Sequence, residues 1–271
     1  MSNSDGEKKG VSIRTKLAAL IVLFILITVL ATEIFSYQSS VSELEISMEE
    51  ERLNMATLTA ARISGELMEA TAVVETAALN TVFASADLNS VQSALNAIKD
   101  SNEIFSVTFM MDGEFNRLNY LGEWTNLSAR NYAQEVKSTK TTVISKEVII
   151  SATTGKPSIM VITPVKAAGS PERYLGITVG VENLQKIIMG TKESESTYAF
   201  AFDGVSGLVF AHPNTELVGT LKIITPDENS SLALSPDLQE MGKAAAAGGS
   251  GIRIYEFNGE KVISAYANIP E

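Results

Sequence analysis

The stretch LAALIVLFILITVLAT, residues 17–32, carries no charge and constrains this chain more than any other. Ile34 and Phe35 extend its apolar character past Glu33. A helix that crosses a bilayer needs about 20 mostly apolar residues, and Leu17 to Phe35 nearly supplies them. No polar face interrupts the run, which argues against a buried core helix. Glu33 falls at the far interface, where a carboxylate reaches water. An uncleaved anchor and a cleaved signal peptide both fit the pattern. The apolar region is long for a signal peptide, and Val29-Leu30-Ala31 is a poor cleavage site, so an anchor over 17–36 is expected. No second apolar stretch of that length follows.

Charge sets the expected orientation. Lys8, Lys9, Arg14 and Lys16 stand against Asp5 and Glu7, so the tail 1–16 is net +2, and subtracting it from the total of −11 leaves −13 on the rest. Basic residues ahead of a span keep the tail cytoplasmic and send the body across the membrane. A body this acidic repels phosphate backbones and anionic headgroups, so no nucleic acid is expected as a partner.

Residues 42–82 contain no Pro and a single Gly. Leu53, Ala56, Ala60, Ile63, Leu67, Ala70, Val74 and Ala77 follow a 3-4-3-4-3-4-3 spacing, an unbroken a/d-type seam on one long helix. The seam serves either a dimer that carries a signal along the helix or packing against the chain's own body; a heptad pattern does not name its partner. Glu43, Glu45, Glu49, Glu50 and Glu51 form a solvated face ahead of it.

From Ile104 the pattern changes to short β-type runs. IFSVTFMM (104–111) ends at the Asp112-Gly113 turn signal, and FNRLNYLG (115–122) reads as its return strand. SARNYAQEVKS (128–138) reads as a helix with Ser128 as N-cap. TTVISKEVIIS (141–151) and PSIMVITPV (157–165) flank a loop holding Thr154-Gly155, and YLGITVGV (174–181) leads into a short helix, ENLQKIIM (182–189). A second unit follows. YAFAF (198–202) and GLVFA (207–211) bracket a hairpin loop, 214–247 is polar and partly helical, and IRIYEF (252–257) and KVISAYANI (261–269) flank the hairpin cue Asn258-Gly259-Glu260. The expected fold class is α+β: a span and a long helix, then two small units, each an antiparallel sheet with helices. The last strand reaches almost to Glu271, so the chain is expected to be cut from something longer.

Catalytic patterns are scarce. The chain has no Cys and one His, His212, so a His-based zinc cluster lacks its second His. GVSGL (204–208) and GGSGI (248–252) approach a nucleophile elbow but fail at its final Gly. There is no Walker-type loop and no G-x-G-x-x-G. Neither an enzyme nor a cofactor or metal is expected. His212-Pro213 reads as the end of a strand at a turn, since Pro cannot donate to a central ladder.

The order of basic tail, single span, long helix and two sheet units resembles the double Cache sensor of bacterial methyl-accepting chemotaxis receptors, two PAS-like modules threaded on one helix. ARNYAQEV resembles the segment where Arg-x-Trp-Tyr usually opens the binding-site helix. TTGKPSIMVITPV resembles the family's Thr-Gly hairpin and the strand after it. YLGITVGVENLQKII, TYAFAFDGVSGLVFAHPN and YEFNGEKVISAYANIP resemble the closing elements of the distal module and the two hairpins of the proximal one. The resemblance implies a cytoplasmic tail (1–16), an anchor (17–36), a stalk helix and connecting helix (37–100), a membrane-distal module (101–192) and a membrane-proximal module (193–271) truncated at its C-terminus. It implies an inner-membrane receptor with its sensor periplasmic or extracellular, a homodimer through the stalk, and cytoplasmic signalling partners reached through a missing C-terminal part.

The resemblance also implies a ligand site in the distal module. Amino-acid-sensing members use Arg and aromatics for the carboxylate and an Asp for the amino group. This chain keeps Arg130, but Tyr132 replaces the Trp and Ala133 the Tyr. Ile149 and Ser151 stand where Tyr and Asp are common, and Thr178 stands where the amine-pairing Asp would be. Losing that carboxylate removes a charge-assisted partner for an ammonium. A carboxylate or neutral polar ligand is expected, held by Arg130, Tyr132 and Thr178, with Ser151 beside them, and not a typical α-amino acid. Trp124 and Tyr120 either line this pocket or pack in the core. The same sensor could serve a histidine kinase or a cyclic-dinucleotide enzyme. A free-standing anchored solute-binding protein is the competing reading.

Overall fold

The computed structural model describes residues 12–191, 197–227, 234–257 and 259–270. Lys8 and Lys9 of the basic tail, the expected module boundary at 192–193, and Asn258 lie outside them. Two compact units, Met1–Glu51 and Arg52–Glu271, make up the chain.

Helix α1 runs from Ile13 to Ala77. It is unbroken because its sequence holds no Pro and only Gly65. Its apolar part has a mean hydropathy of 2.7 and none of it is buried. By length and composition it qualifies as one candidate membrane span. Thr28 and Thr32 donate their hydroxyls back to the carbonyls of Phe24 and Thr28 at 2.5 and 2.8 Å, so both donors are satisfied within the helix itself.

The part of α1 within the second unit resolves the choice left open by the heptad spacing. Ala60, Ile63, Leu67, Ala70 and Val74 are buried, and Ile63 through Val74 belong to the core of this chain itself. That stretch of seam is therefore not free for a dimer. A 3₁₀ turn, Thr81–Ala84, capped by Asn80, leads to α2 (Leu88–Asp100), capped by Asp87.

A seven-stranded sheet follows. Its strands are β1 (Phe105–Asp112), β2 (Asn116–Asn119), β3 (Trp124–Asn126), β4 (Val143–Ile144), β5 (Ile149–Ile150), β6 (Pro157–Pro164) and β7 (Arg173–Gly180). The order is β3-β2-β1-β7-β6-β4, with β5 also on β6, and every pairing is antiparallel. One face packs on α1 and α2, through Met110, Leu118, Val161, Leu175 and Ile177. Thr108 ties the layers by donating to the Leu95 carbonyl at 2.7 Å. The other face, through Phe109, Met111, Met160, Ile162 and Tyr174, is covered by α3 (Asn131–Thr139).

Two expectations change here. The run 141–151 is not one strand: Ser145 Oγ accepts the Met160 amide at 2.9 Å in place of a ladder carbonyl, and the chain leaves β6 before rejoining it at β5. Ser128 is not the helix cap, because α3 begins at Asn131 with Arg130 in the N-cap position.

After α4 (Val181–Met189) come β8 (Ala201–Phe202), β9 (Val209–Ala211), a 3₁₀ turn (Thr215–Leu217), α5 (Pro236–Ala246), β10 (Gly251–Phe257) and β11 (Glu260–Tyr266). Instead of one sheet, the described residues form two separate ladders, β8–β9 and β10–β11. Val209, Leu221, Ile223, Leu238, Met241 and Tyr255 are the buried centre of this part. The β8–β9 loop is organised by Asp203, whose Oδ1 accepts the amides of Val205, Ser206 and Gly207.

Candidate ligand-binding site

The period-2 geometry of a strand decides which side chains meet under α3. Phe109 pairs with Asn119 and Met111 with Arg117 across β1–β2, and Phe109 pairs with Gly176 across β1–β7. Directly opposed residues share a face, so Arg117, Asn119 and Phe109 lie on the α3 side. Thr178, opposite Val107 and Met160, joins them. Gly176 makes room for the Phe109 ring: a Cβ there would stand 2.1 Å from Phe109 Cζ.

Arg117 is 2% exposed. Its Nη2 donates to Thr153 Oγ1 at 2.9 Å and to Thr125 Oγ1 at 3.4 Å. Its Nε is buried and has no hydrogen-bond partner among the described residues. No carboxylate among the described residues lies within ion-pair distance of it. Burial pulls its pKa below the usual guanidinium value; the charges of Tyr132 and Glu123 act against this and that of Arg130 adds to it. Asn119 donates to Thr153 Oγ1 at 3.1 Å and to Glu123 Oε2 at 2.9 Å. Besides the two threonine hydroxyls, the guanidinium carbon lies 5.7 Å from the centroid of the Phe109 ring.

Arg130 is half-buried at the start of α3, with no side-chain cap on that helix, and its Nη2 donates to the Ile150 carbonyl at 3.3 Å. Tyr132 is buried. Desolvation raises its phenol above the usual pKa, while the charges of Arg130 and Arg117 act in the opposite sense. Both guanidinium groups therefore act on one phenol. Thr178 is buried, and its hydroxyl's partner is Met160 Sδ at 3.6 Å, a weak acceptor. Ser151 Oγ accepts the amides of Thr153 and Thr154 at 3.4 and 3.3 Å. It shapes the loop that presents Thr153.

Arg130, Tyr132 and Thr178 thus fall around one layer, with Ser151 in its supporting loop. Trp124 and Tyr120 do not join them. Trp124 pairs with Leu118 on the opposite face and is 53% exposed. Tyr120 packs against the core on the α1–α2 side, with Lys99 Nζ 5.8 Å from its ring centroid. Sequence reasoning overlooked Arg117, Asn119 and Thr153. The signal for the first two was available: counting back across the Asp112-Gly113 turn places Arg117 and Asn119 on the inward face of β2.

His212 is structural. It follows β9, Nδ1 accepts the Asn214 amide at 2.8 Å, and the ring packs 5.1 and 5.7 Å from the rings of Tyr198 and Phe200. Burial lowers its pKa. Among the described residues, no three His, Cys, Asp or Glu side chains gather as a metal site would require. A cleft of about 870 Å³ opens between α1, β8 and β11. Its buried acid, Asp203, is already saturated by its own loop.

The dCache_1 family, described as a Cache domain, matches residues 40–271. This chain belongs to the Cache domain family. No curated protein matches it in sequence. The Cache fold is also seen in solved structures. The extracellular domain of a protein described as the histidine kinase mmHK1S-Z2 is similar with a TM-score of 0.63 at 15% identity, over 81% of this chain and 92% of that one. The sensory domain of the Campylobacter jejuni chemoreceptor Tlp3 with isoleucine bound gives 0.61 at 16%, over 84% and 91%. The ligand-binding domain of the Pseudomonas aeruginosa PAO1 amino acid chemoreceptor PctC in complex with GABA gives 0.57 at 17%, over 78% and 88%. At these identities the likeness speaks for the Cache fold alone.

Proposed function

We propose that this chain is the membrane anchor and extracytoplasmic ligand-sensing portion of a transmembrane chemotaxis receptor. Its tail, 1–16, lies in the cytoplasm, 17–36 spans the inner membrane, and a small molecule binds in the distal module, 101–192. Arg130, Tyr132 and Thr178 hold it between the sheet and α3. The module 193–271 lies nearer the membrane. The segment itself carries out no chemistry. A dimer forms through the stalk, on the face of α1 left exposed at Leu58, Ala61, Gly65, Met68 and Ala72.

One observation carries this reading. A single helix, α1, contains both the uncovered apolar segment and the seam buried in the Cache core. A ligand that binds one arrangement of that core better than another shifts the population of the helix attached to it. A ligand with equal affinity for both shifts nothing. The likeness to a histidine kinase extracellular domain favours a second reading, in which the same sensor drives a kinase.

The test is thermal unfolding of the full chain in detergent against a library of organic acids, amino acids and polyols. A ligand at a hundred times its Kd adds about 2.7 kcal/mol. A hit whose shift disappears in Arg130→Ala and in Tyr132→Ala supports the site. A silent library, or hits indifferent to both substitutions, removes it.

A further inference from the structure

We propose that the cleft between β8 and β11 is a second binding site, and that it takes a short, uncharged, extended peptide that enters as a strand between the two. The site is separate from the distal one and goes beyond the sensor reading above.

Each of the two strands is paired on one side. β8 pairs with β9, whose far side is itself bonded to Gly219 and Leu221, and β11 pairs with β10. Among the described residues, the second edge of each strand is open. The cleft is lined by 197–203 and by 260–266, but by only Phe210 of β9 and Tyr255 of β10. The open edges are therefore the sides that face it. An antiparallel strand turns part of its N–H and C=O groups to each side, and an open edge offers them to an incoming chain. A small ring compound has no ladder to match two such edges. An extended peptide does: its main chain supplies the bonds and its alternate side chains fill pockets.

The dimensions agree. The cleft holds about 870 Å³, within the roughly 300–1,000 Å³ of ligand sites. β11 is seven residues long, about 23 Å at 3.3 Å per residue, so a peptide of about five residues runs alongside it. Inserted, the peptide holds β8 and β11 about 9.6 Å apart, two strand spacings.

The lining selects the side chains. α1 contributes Met55, Ala56 and Ala60, and α5 contributes Met241 and Ala245. Tyr198, Val205 and Ile263 also line the cleft and stay exposed, as apolar groups do where a groove takes a partner. Its charges are of both signs. Arg52, Lys146 and Lys261 stand against Glu147 and Glu260, and Asp203 is saturated by its own loop. Lys146 and Glu147 are further engaged by Glu135 and Asn131. No net charge draws an ion in, so the peptide is apolar and uncharged. Ala60, Ile63 and Leu67 belong both to this cleft and to the buried seam of α1. An occupant therefore bears on the helix that contains the candidate span.

The experiment uses the full chain in detergent and a capped pentapeptide, acetyl-Val-Thr-Val-Phe-Val-amide. Its partner probe has the same sequence with alternate amides N-methylated, which removes donors from the ladder. At a hundredfold excess over its Kd, the parent peptide is expected to raise the unfolding midpoint by roughly 5–10 °C, and the methylated one to leave it unchanged. Ile263→Lys places a charge on the open edge. It is expected to weaken peptide binding at least tenfold, read by anisotropy of a labelled peptide, without lowering the unliganded midpoint. Arg130→Ala, at the distal site, is expected to leave the peptide shift intact. Ala199→Cys paired with Ser264→Cys or Ala265→Cys tests whether the edges simply meet each other, since directly paired strands bring Cα atoms within disulfide reach. The proposal is overturned by a silent parent peptide, by equal shifts from both peptides, by binding indifferent to Ile263→Lys, by indole or benzyl alcohol matching the peptide, or by a disulfide that forms equally with and without it. A peptide shift that disappears in Arg130→Ala would also overturn it and leave the distal sensor reading standing.

Discussion

The guanidinium carbon of Arg117 lies 5.7 Å from the centroid of the Phe109 ring, and that ring lies directly over Gly176. The aromatic face gives the buried cation some attraction, about 2 kcal/mol when desolvated. The contact depends on the missing side chain at 176. Gly176→Ala must push the ring aside, and overpacking of this kind costs about 1–3 kcal/mol. Denaturant unfolding should show that loss. Gly204→Ala is the contrast: nothing lies within 4 Å of the added Cβ and its φ is not positive, so the exchange gains about 0.4–1 kcal/mol by restricting the unfolded chain. Equal effects at the two positions would mean that Phe109 does not rest on Gly176.

The two faces of α1 within the second unit should respond differently to truncation. Ile63 is 1% exposed, whereas Arg62 beside it is exposed and lies off the proposed dimer face. Ile63→Ala should cost about 2–5 kcal/mol, the range for buried aliphatic truncations. Arg62→Ala should stay within about 0.5 kcal/mol, as surface changes do. Similar losses at both would contradict the packing of the seam.

Much of this was legible in the sequence because apolar periodicity acts locally. The runs at 104–111, 157–165 and 174–181 match β1, β6 and β7 to within a residue at either end, since each is buried on both faces or alternates cleanly. What was not legible depended on partners distant in sequence. The heptad seam could not say whether it faced a second chain or its own sheet. Ser145 breaks its strand because its hydroxyl, in place of a backbone carbonyl, meets Met160. Tyr120 and Trp124 were grouped with the ligand site by proximity in sequence, but the pairing of Leu118 with Trp124 turns the tryptophan to the opposite face. Arg117 was hidden for a related reason: a cation in a hairpin strand reads as solvent-exposed until the register turns it inward.

The proposed stalk dimer makes a separate prediction. Leu58, Ala61, Gly65, Met68 and Ala72 continue a 3-4-3-4 spacing on the exposed side of α1, the spacing two helices need to pack along a seam. The chain has no Cys, so one introduced thiol reports without background. Met68→Cys should give a disulfide-linked dimer on mild oxidation of membranes, because a seam brings equivalent Cα atoms within the roughly 4.4–6.8 Å that a disulfide spans. Ala168→Cys, in the exposed loop between β6 and β7, should stay monomeric. Crosslinking at 168 and not at 68 would place the dimer elsewhere.

The single histidine gives a pH test with one titrating side chain near neutrality. Nδ1 of His212 accepts the Asn214 amide, so the folded ring is held without a proton at that atom. Burial lowers its folded pKa below the ordinary value, which is about 6.5. The unfolded chain therefore takes up the proton first as pH falls. The stability this provides is complete above the unfolded value and is lost on acidification through it toward the lower folded one. Unfolding free energy should fall between pH 7.5 and 5.5, with a slope no steeper than about 1.4 kcal/mol per pH unit for one proton. His212→Asn should flatten that slope over the same window. If it does not, the dependence belongs to other groups and His212 is not the neutral turn residue its geometry describes.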